Sequence, residues 1–60
     1  MPVVIVEMWE GRTIEQKKQL AKGITDAFEK IGTPASVVQI VLKDNAKHNW
    51  AIGGKLCSEM

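Results

Sequence analysis

The chain has 60 residues, of which 45% are hydrophobic and 25% are charged. This balance excludes a disordered tail and predicts a single small globular domain over residues 1–60. Eight basic and seven acidic side chains give a net charge of +1, and the lysines are spread from Lys17 to Lys55. Without a basic patch, the composition does not favour nucleic acid as a partner.

The sequence has one cysteine, Cys57, and one histidine, His48. It therefore excludes an intrachain disulfide and a Cys/His metal framework. We interpret Cys57 as packed or without a role, and His48 as exposed in a polar loop. With no run of 18 apolar residues and no signal-peptide pattern, we expect no membrane association and a cytoplasmic location. So small a domain without disulfide or metal depends on packing, and its size favours oligomerisation.

Residues 2–9 are rich in β-branched side chains and predict the first strand. Thr13 followed by Gln16 is a capping-box pattern that opens a helix. Apolar residues then recur at helical spacing, and Gly32 and Pro34 end the helix after about 18 residues. The predicted apolar face consists of Ile14, Leu20, Ala21, Ile24, Ala27, Phe28 and Ile31.

Residues 37–43 form a second β-branched run and predict a second strand, bounded by the polar residues 44–49. Two strands joined by a helix favour a parallel pair in a right-handed crossover. Gly53 and Gly54 indicate a short hairpin near the carboxyl end. The predicted fold class is α/β (α+β), a single β-α-β unit with a C-terminal hairpin.

Both predicted strands are apolar on both of their faces. A single helix covers one face of a two-stranded sheet, so the other face would remain in contact with water. We expect a second copy to cover it. The simplest arrangement joins two units into a four-stranded sheet with two helices on one face.

Pro2 permits two interpretations. It starts an edge strand, where its missing N–H does no harm. Alternatively, Met1 is removed and the chain begins with a secondary amine. Loss of hydration at the start of an apolar strand would lower the pKa of that amine and suit it to act as a general base.

Four features occur in order along the chain: Met1-Pro2 opening a strand, Glu10-Gly11-Arg12 at its end, a helix and second strand, and Trp50 followed by Ile52-Gly53-Gly54. In this the whole chain resembles the short-chain 4-oxalocrotonate tautomerase family. The resemblance implies the tautomerase β-α-β fold, a homohexamer built as a trimer of dimers, and no metal or organic cofactor. It also implies a cofactor-free isomerase that moves a proton between atoms of an enol or dienol acid.

The resemblance assigns roles to individual residues. Pro2 would be the catalytic base that takes the proton of the 2-hydroxyl and returns it at carbon. Arg12 would bind a substrate carboxylate through its planar guanidinium, although a solvated turn residue is the alternative. Trp50 matches the family's aromatic residue and would line the substrate pocket, a role compatible with packing between subunits.

Gln39 departs from the family pattern. It stands where the best-known members carry a second arginine, and Arg12 is the only arginine in this chain. A glutamine donates a neutral hydrogen bond, so stabilisation of the developing oxyanion should be weaker. Lys43 and Lys47 are the cations that a neighbouring copy could supply instead. A phenylenolpyruvate-like monoacid fits the missing charge better than the dicarboxylate 2-hydroxymuconate.

Two other functions remain open from the sequence. Hydration or dehalogenation of an unsaturated acid would need a well-placed carboxylate, and Glu7 and Glu10 are the acids near the first strand. A non-catalytic oligomeric binding module would retain Met1 and so leave an amide nitrogen at Pro2. Trp9 belongs either to the pocket mouth or to an interface, on the strand face shared by Val3 and Ile5.

Overall fold

A computed structural model describes all 60 residues of the chain. The first strand, β1, spans Val3–Trp9 and alternates strictly between its two faces. Met8 is buried on one face, whereas Val3 and Ile5 on the other are 56% and 57% exposed. This period of two is what β-branched residues adopt when one face of a sheet is covered and the other is not.

The helix α1 spans Ile14–Lys30 and begins as the sequence predicts. The Thr13 hydroxyl accepts a hydrogen bond from the Gln16 N–H, and the Gln16 side chain accepts one from the Thr13 N–H, at 3.1 and 2.9 Å. Gly32, with φ of 94°, follows the last turn in the left-handed region that glycine tolerates. No helix is long and apolar enough to cross a membrane.

The predicted apolar face of α1 is only partly covered. Leu20, Ala21, Ile24 and Phe28 are half-buried, but Ala27 is exposed. Ile14 and Ile31, at the two ends of the helix, are 75% and 76% exposed. Both ends of the predicted apolar face are therefore uncovered in one chain, because a two-stranded sheet covers only the middle of the helix.

The second strand, β2, spans Gln39–Asn45 and pairs in parallel with β1 from Val3↔Gln39 to Trp9↔Asn45. The β-α-β arrangement is confirmed, but the predicted limits of the strand are wrong by two residues at each end. Residues 37 and 38 fall in and after a short turn, Ala35–Val37, that follows Pro34. The polar end of β2 remains a strand because it continues the ladder beside β1, where the Asn45 amide donates to a Glu7 carboxylate oxygen at 2.9 Å.

The predicted hairpin is present as β3, Ala51–Ile52, and β4, Lys55–Leu56, in antiparallel pairing. Gly53 and Gly54 form its turn with φ of 61° and 83°, values that side chains disfavour. Short turns precede and follow the hairpin at Lys47–Asn49 and Cys57–Glu59. The hairpin is a separate sheet from β1 and β2.

The core of one chain is very small. Only Met8 and Cys57 are buried, and the molecule measures 42 × 23 × 14 Å. Its radius of gyration is 14.5 Å, whereas a compact domain of this length would have one of about 10 Å. The chain is thus elongated, and the outer face of its main sheet carries four exposed apolar side chains, those of Val3, Ile5, Trp9 and Val41.

Candidate functional site

Pro2 and Gln39 lie together at the amino-terminal end of the main sheet. Pro2 is half-buried and immediately precedes β1. Its carbonyl oxygen accepts a hydrogen bond from the Gln39 backbone N–H at 3.0 Å. The Gln39 side-chain amide extends further and donates to the Met1 sulfur at 3.5 Å. The parallel register therefore places a polar amide group beside the start of the chain.

Arg12 and Trp50 lie at the opposite end of the sheet, and both contact Trp9. The Arg12 guanidinium donates to the Trp9 carbonyl oxygen at 3.3 Å. The Trp50 ring meets the Trp9 ring edge to face, with centroids 6.0 Å apart and an interplanar angle of 77°. The Lys47 ammonium lies 4.8 Å from the centre of the Trp9 ring. We call these four residues the tryptophan cluster.

Backbone hydrogen bonds hold Trp50 in this cluster. Its N–H donates to the Lys47 carbonyl oxygen at 3.2 Å, and its own carbonyl accepts from the Cys57 N–H at 2.8 Å. The first bond closes the turn that carries Lys47, and the second closes the hairpin. Cys57, one of the two buried residues, thus has a structural position, as the sequence predicted.

The two ends of the sheet are too far apart to form one site within a chain. The strand rises by about 3.3 Å per residue, so the Cα atoms of Pro2 and Trp9 are about 23 Å apart. One chain by itself contains no pocket. Of the four residues predicted for the site, the structure brings together Pro2 with Gln39, and Arg12 with Trp50, as two separate pairs.

Charged side chains near the sheet differ in their partners. Arg12 and Lys47 have no carboxylate within ion-pair distance, although the chain forms three ion pairs. In one of these, on the exposed surface of α1, the hydrogen bond and charge of the Asp26 carboxylate raise the pKa of Lys22. The pairs are Lys17–Asp44 at 2.6 Å, Lys22–Asp26 at 3.0 Å and Lys43–Glu7 at 3.9 Å.

These contacts distinguish the two lysines that the sequence offered together as cations from a neighbouring copy. Lys43 faces Glu7 on the sheet, whereas Lys47 contacts Trp9 beside Arg12. Trp9 connects the cluster; the sequence assigned it to the pocket mouth or to an interface, but its contacts with Lys47 and Trp50 were not predicted. Within one chain, Glu7 is five residues from Pro2 and contacts Asn45 and Lys43 instead. No three His, Cys, Asp or Glu side chains are grouped to hold a metal ion.

Comparison with known proteins decides the family. The family model described as "Tautomerase enzyme" matches residues 2–60. The chain belongs to the tautomerase family. It is accordingly an enzyme of the tautomerase type, an isomerase, as the resemblance implied. The Bacillus cereus protein named "Probable tautomerase" is 43% identical over 60 residues, covering 98% of each chain. The 2-hydroxymuconate tautomerase of Bacillus subtilis is 38% identical, covering all of this chain and 98% of the relative.

Solved structures show the same fold. The 4-oxalocrotonate tautomerase homologue YwhB superposes on this tautomerase with a TM-score of 0.91 and 37% identity, over 98% of each chain. A heterohexameric 4-oxalocrotonate tautomerase from Chloroflexus aurantiacus has a TM-score of 0.91 and 28% identity, over 100% of this chain and 98% of that one. The predicted tautomerase fold is confirmed.

Proposed function

We propose that this tautomerase ketonises an enol or dienol carboxylate, with the Pro2 amine as general base after removal of Met1. The observation that carries the proposal is the position of Pro2, half-buried at the start of β1 and beside the Gln39 amide. Removal of Met1 would free the Pro2 nitrogen. It would also free the Gln39 amide from its contact with the Met1 sulfur, at the same end of the sheet as Pro2.

In the reaction, the Pro2 nitrogen accepts the proton of the substrate's 2-hydroxyl group. The electrons of that O–H bond form the C2 carbonyl, and the carbon–carbon double bond shifts its electrons toward a carbon further along. That carbon takes a proton from the protonated proline, which restores the free amine. The net change moves one proton from oxygen to carbon, and the amino-terminal nitrogen of Pro2 carries it between the two atoms.

Arg12 and Gln39 have different tasks in this scheme. The Arg12 guanidinium binds a substrate carboxylate and draws electron density toward it. Gln39 donates a neutral hydrogen bond to the oxygen on which charge develops, and so stabilises it less than an arginine would. Trp50 and the neighbouring Trp9 form an aromatic wall that excludes water from the site.

The site requires a second copy of the chain. Pro2 and Arg12 are at opposite ends of a strand about 23 Å long, so a neighbour must bring its tryptophan cluster to Pro2. The exposed apolar side chains of Val3, Ile5 and Val41 provide the face on which copies can associate. A homohexamer of three dimers is the assembly that we propose; the heterohexamer from Chloroflexus aurantiacus has the same number of subunits.

The function is tested by following ketonisation of 2-hydroxymuconate and of phenylenolpyruvate by ultraviolet absorbance. We expect the protein without Met1 to accelerate at least one of them above the buffer rate. If protein lacking Met1 accelerates neither, the proposed reaction is wrong. If the purified protein retains Met1, the non-catalytic binding module becomes the better account.

Replacing Gln39 by arginine should improve the enzyme. We expect Gln39→Arg to raise kcat/KM for 2-hydroxymuconate by about fivefold to tenfold, because a charged hydrogen bond exceeds a neutral one by about 1 kcal/mol. The matched control is Gln19→Arg, which adds the same charge to the exposed surface of α1. An equal gain in both variants would show that added charge, and not the position of Gln39, is responsible.

A further inference from the structure

We propose that Lys47 is a second substrate-binding cation, which acts with Arg12 on a carboxylate remote from the reacting oxygen. The inference rests on the proposed function and narrows the class of substrate. It assigns the enzyme to enol or dienol acids that carry two carboxylates, in preference to those that carry one.

Two contacts fix the position of Lys47 in the tryptophan cluster. Its carbonyl oxygen accepts the Trp50 N–H at 3.2 Å, so the lysine and the tryptophan share one turn. Its ammonium lies 4.8 Å from the centre of the Trp9 ring. The Trp9 carbonyl oxygen in turn accepts a hydrogen bond from the Arg12 guanidinium at 3.3 Å. Lys47 and Arg12 therefore both lie next to the same tryptophan.

The ammonium of Lys47 is available to a ligand. Three other lysines, Lys17, Lys22 and Lys43, are paired with carboxylates of the chain. Lys47 has only the face of an aromatic ring, which attracts one side of the ammonium and leaves its other N–H donors free. Arg12 likewise has no carboxylate partner and gives a single hydrogen bond to a backbone oxygen. Two cations without carboxylate partners, both in contact with Trp9, favour a ligand with an anionic end and a flat carbon chain.

The two ends of the assembled site would then differ in charge. Whichever copy brings Arg12 and Trp50 to Pro2 also brings Lys47, since the three belong to one cluster of one chain. The end that holds Pro2 offers only the neutral amide of Gln39. A substrate would be bound chiefly through a carboxylate at the end remote from Pro2, and a phenyl group in that place would leave both cations unpaired. We therefore expect a dicarboxylate to be preferred, whereas Gln39 considered alone favours a monoacid.

Steady-state kinetics of Lys47→Gln test the proposal. We expect kcat/KM for 2-hydroxymuconate to fall about tenfold, mainly through KM, because a charged contact to a bound carboxylate is lost. For phenylenolpyruvate we expect less than a twofold change. Lys47→Arg keeps the charge and should retain most of the activity. The control is Lys18→Gln, which removes an unpaired, exposed lysine from α1 and should behave as the parent.

A binding measurement separates this proposal from the proposed function. Trp9 and Trp50 are the only tryptophans, so their fluorescence reports ligands at the cluster. We expect adipate to bind more tightly than adipamide, its uncharged diamide, and Lys47→Gln to weaken the binding of adipate alone by about tenfold. If adipate and adipamide bind the parent and the variant equally, or if the variant loses the same fraction of kcat/KM with both substrates, the role of Lys47 is wrong. If the parent ketonises neither compound, the proposed function fails, and the adipate titration still decides whether Lys47 binds carboxylates.

Discussion

Pro2→Ala should lower kcat/KM for ketonisation at least about a hundredfold, a loss of about 2.7 kcal/mol in transition-state stabilisation. The purified parent should also weigh one methionine residue less than the printed sequence. Both results follow from a single requirement. The Pro2 nitrogen is an amide while Met1 is attached and has no basic electron pair, and it becomes a secondary amine only when the chain starts at Pro2.

The control for this variant is the other proline of the chain. Pro34 is exposed before the turn Ala35–Val37, far along the sequence from the proposed base. Pro34→Ala should leave kcat/KM within about twofold of the parent, since surface substitutions change little. The proline-base mechanism is contradicted if Pro2→Ala is as active as the parent while its oligomeric state and thermal unfolding are unchanged.

Local patterns in the sequence predicted most of the fold. Thr13 and Gln16 marked the start of α1, and Gly32 marked its end, because capping bonds and left-handed backbone depend on residues within one turn. The limits of β2 were less accurate. Asp44 and Asn45 have the composition of a loop, yet they extend the strand because Met8 and Trp9 of β1 supply partners across the ladder. The end of such a strand is set by its pairing with a distant segment, and local composition does not show that pairing.

The residues proposed for the site were identified from the sequence, but the sequence did not predict which of them lie together in space. A parallel register with seven residues in β1 is enough to place Pro2 and Arg12 at opposite ends of the sheet. The contacts of Lys47 and Trp50 with Trp9 depend instead on how the turn Lys47–Asn49 folds back over the end of β1. A loop of this kind has no periodicity from which its position could be read.

Two inactive variants of this enzyme should restore activity when they assemble together. Pro2→Ala retains an intact tryptophan cluster, and Arg12→Gln retains the Pro2 amine. If each site takes Pro2 from one copy and Arg12 from another, a protein refolded from an equal mixture should hold about a quarter of its sites intact. Its activity should then exceed the average of the two variants refolded alone and approach about a quarter of that of the refolded parent.

A site contained within one chain predicts a different outcome, because every chain in the mixture would carry a defect and no activity would return. The matched control mixes the parent with the double variant Pro2→Ala/Arg12→Gln, in which both defects lie on one chain. About half of the sites would then survive if each chain held its own site, and about a quarter if two copies share it. The Cα atoms of Pro2 and Trp9 are about 23 Å apart at about 3.3 Å per residue of β1, and this separation is why we expect the shared arrangement.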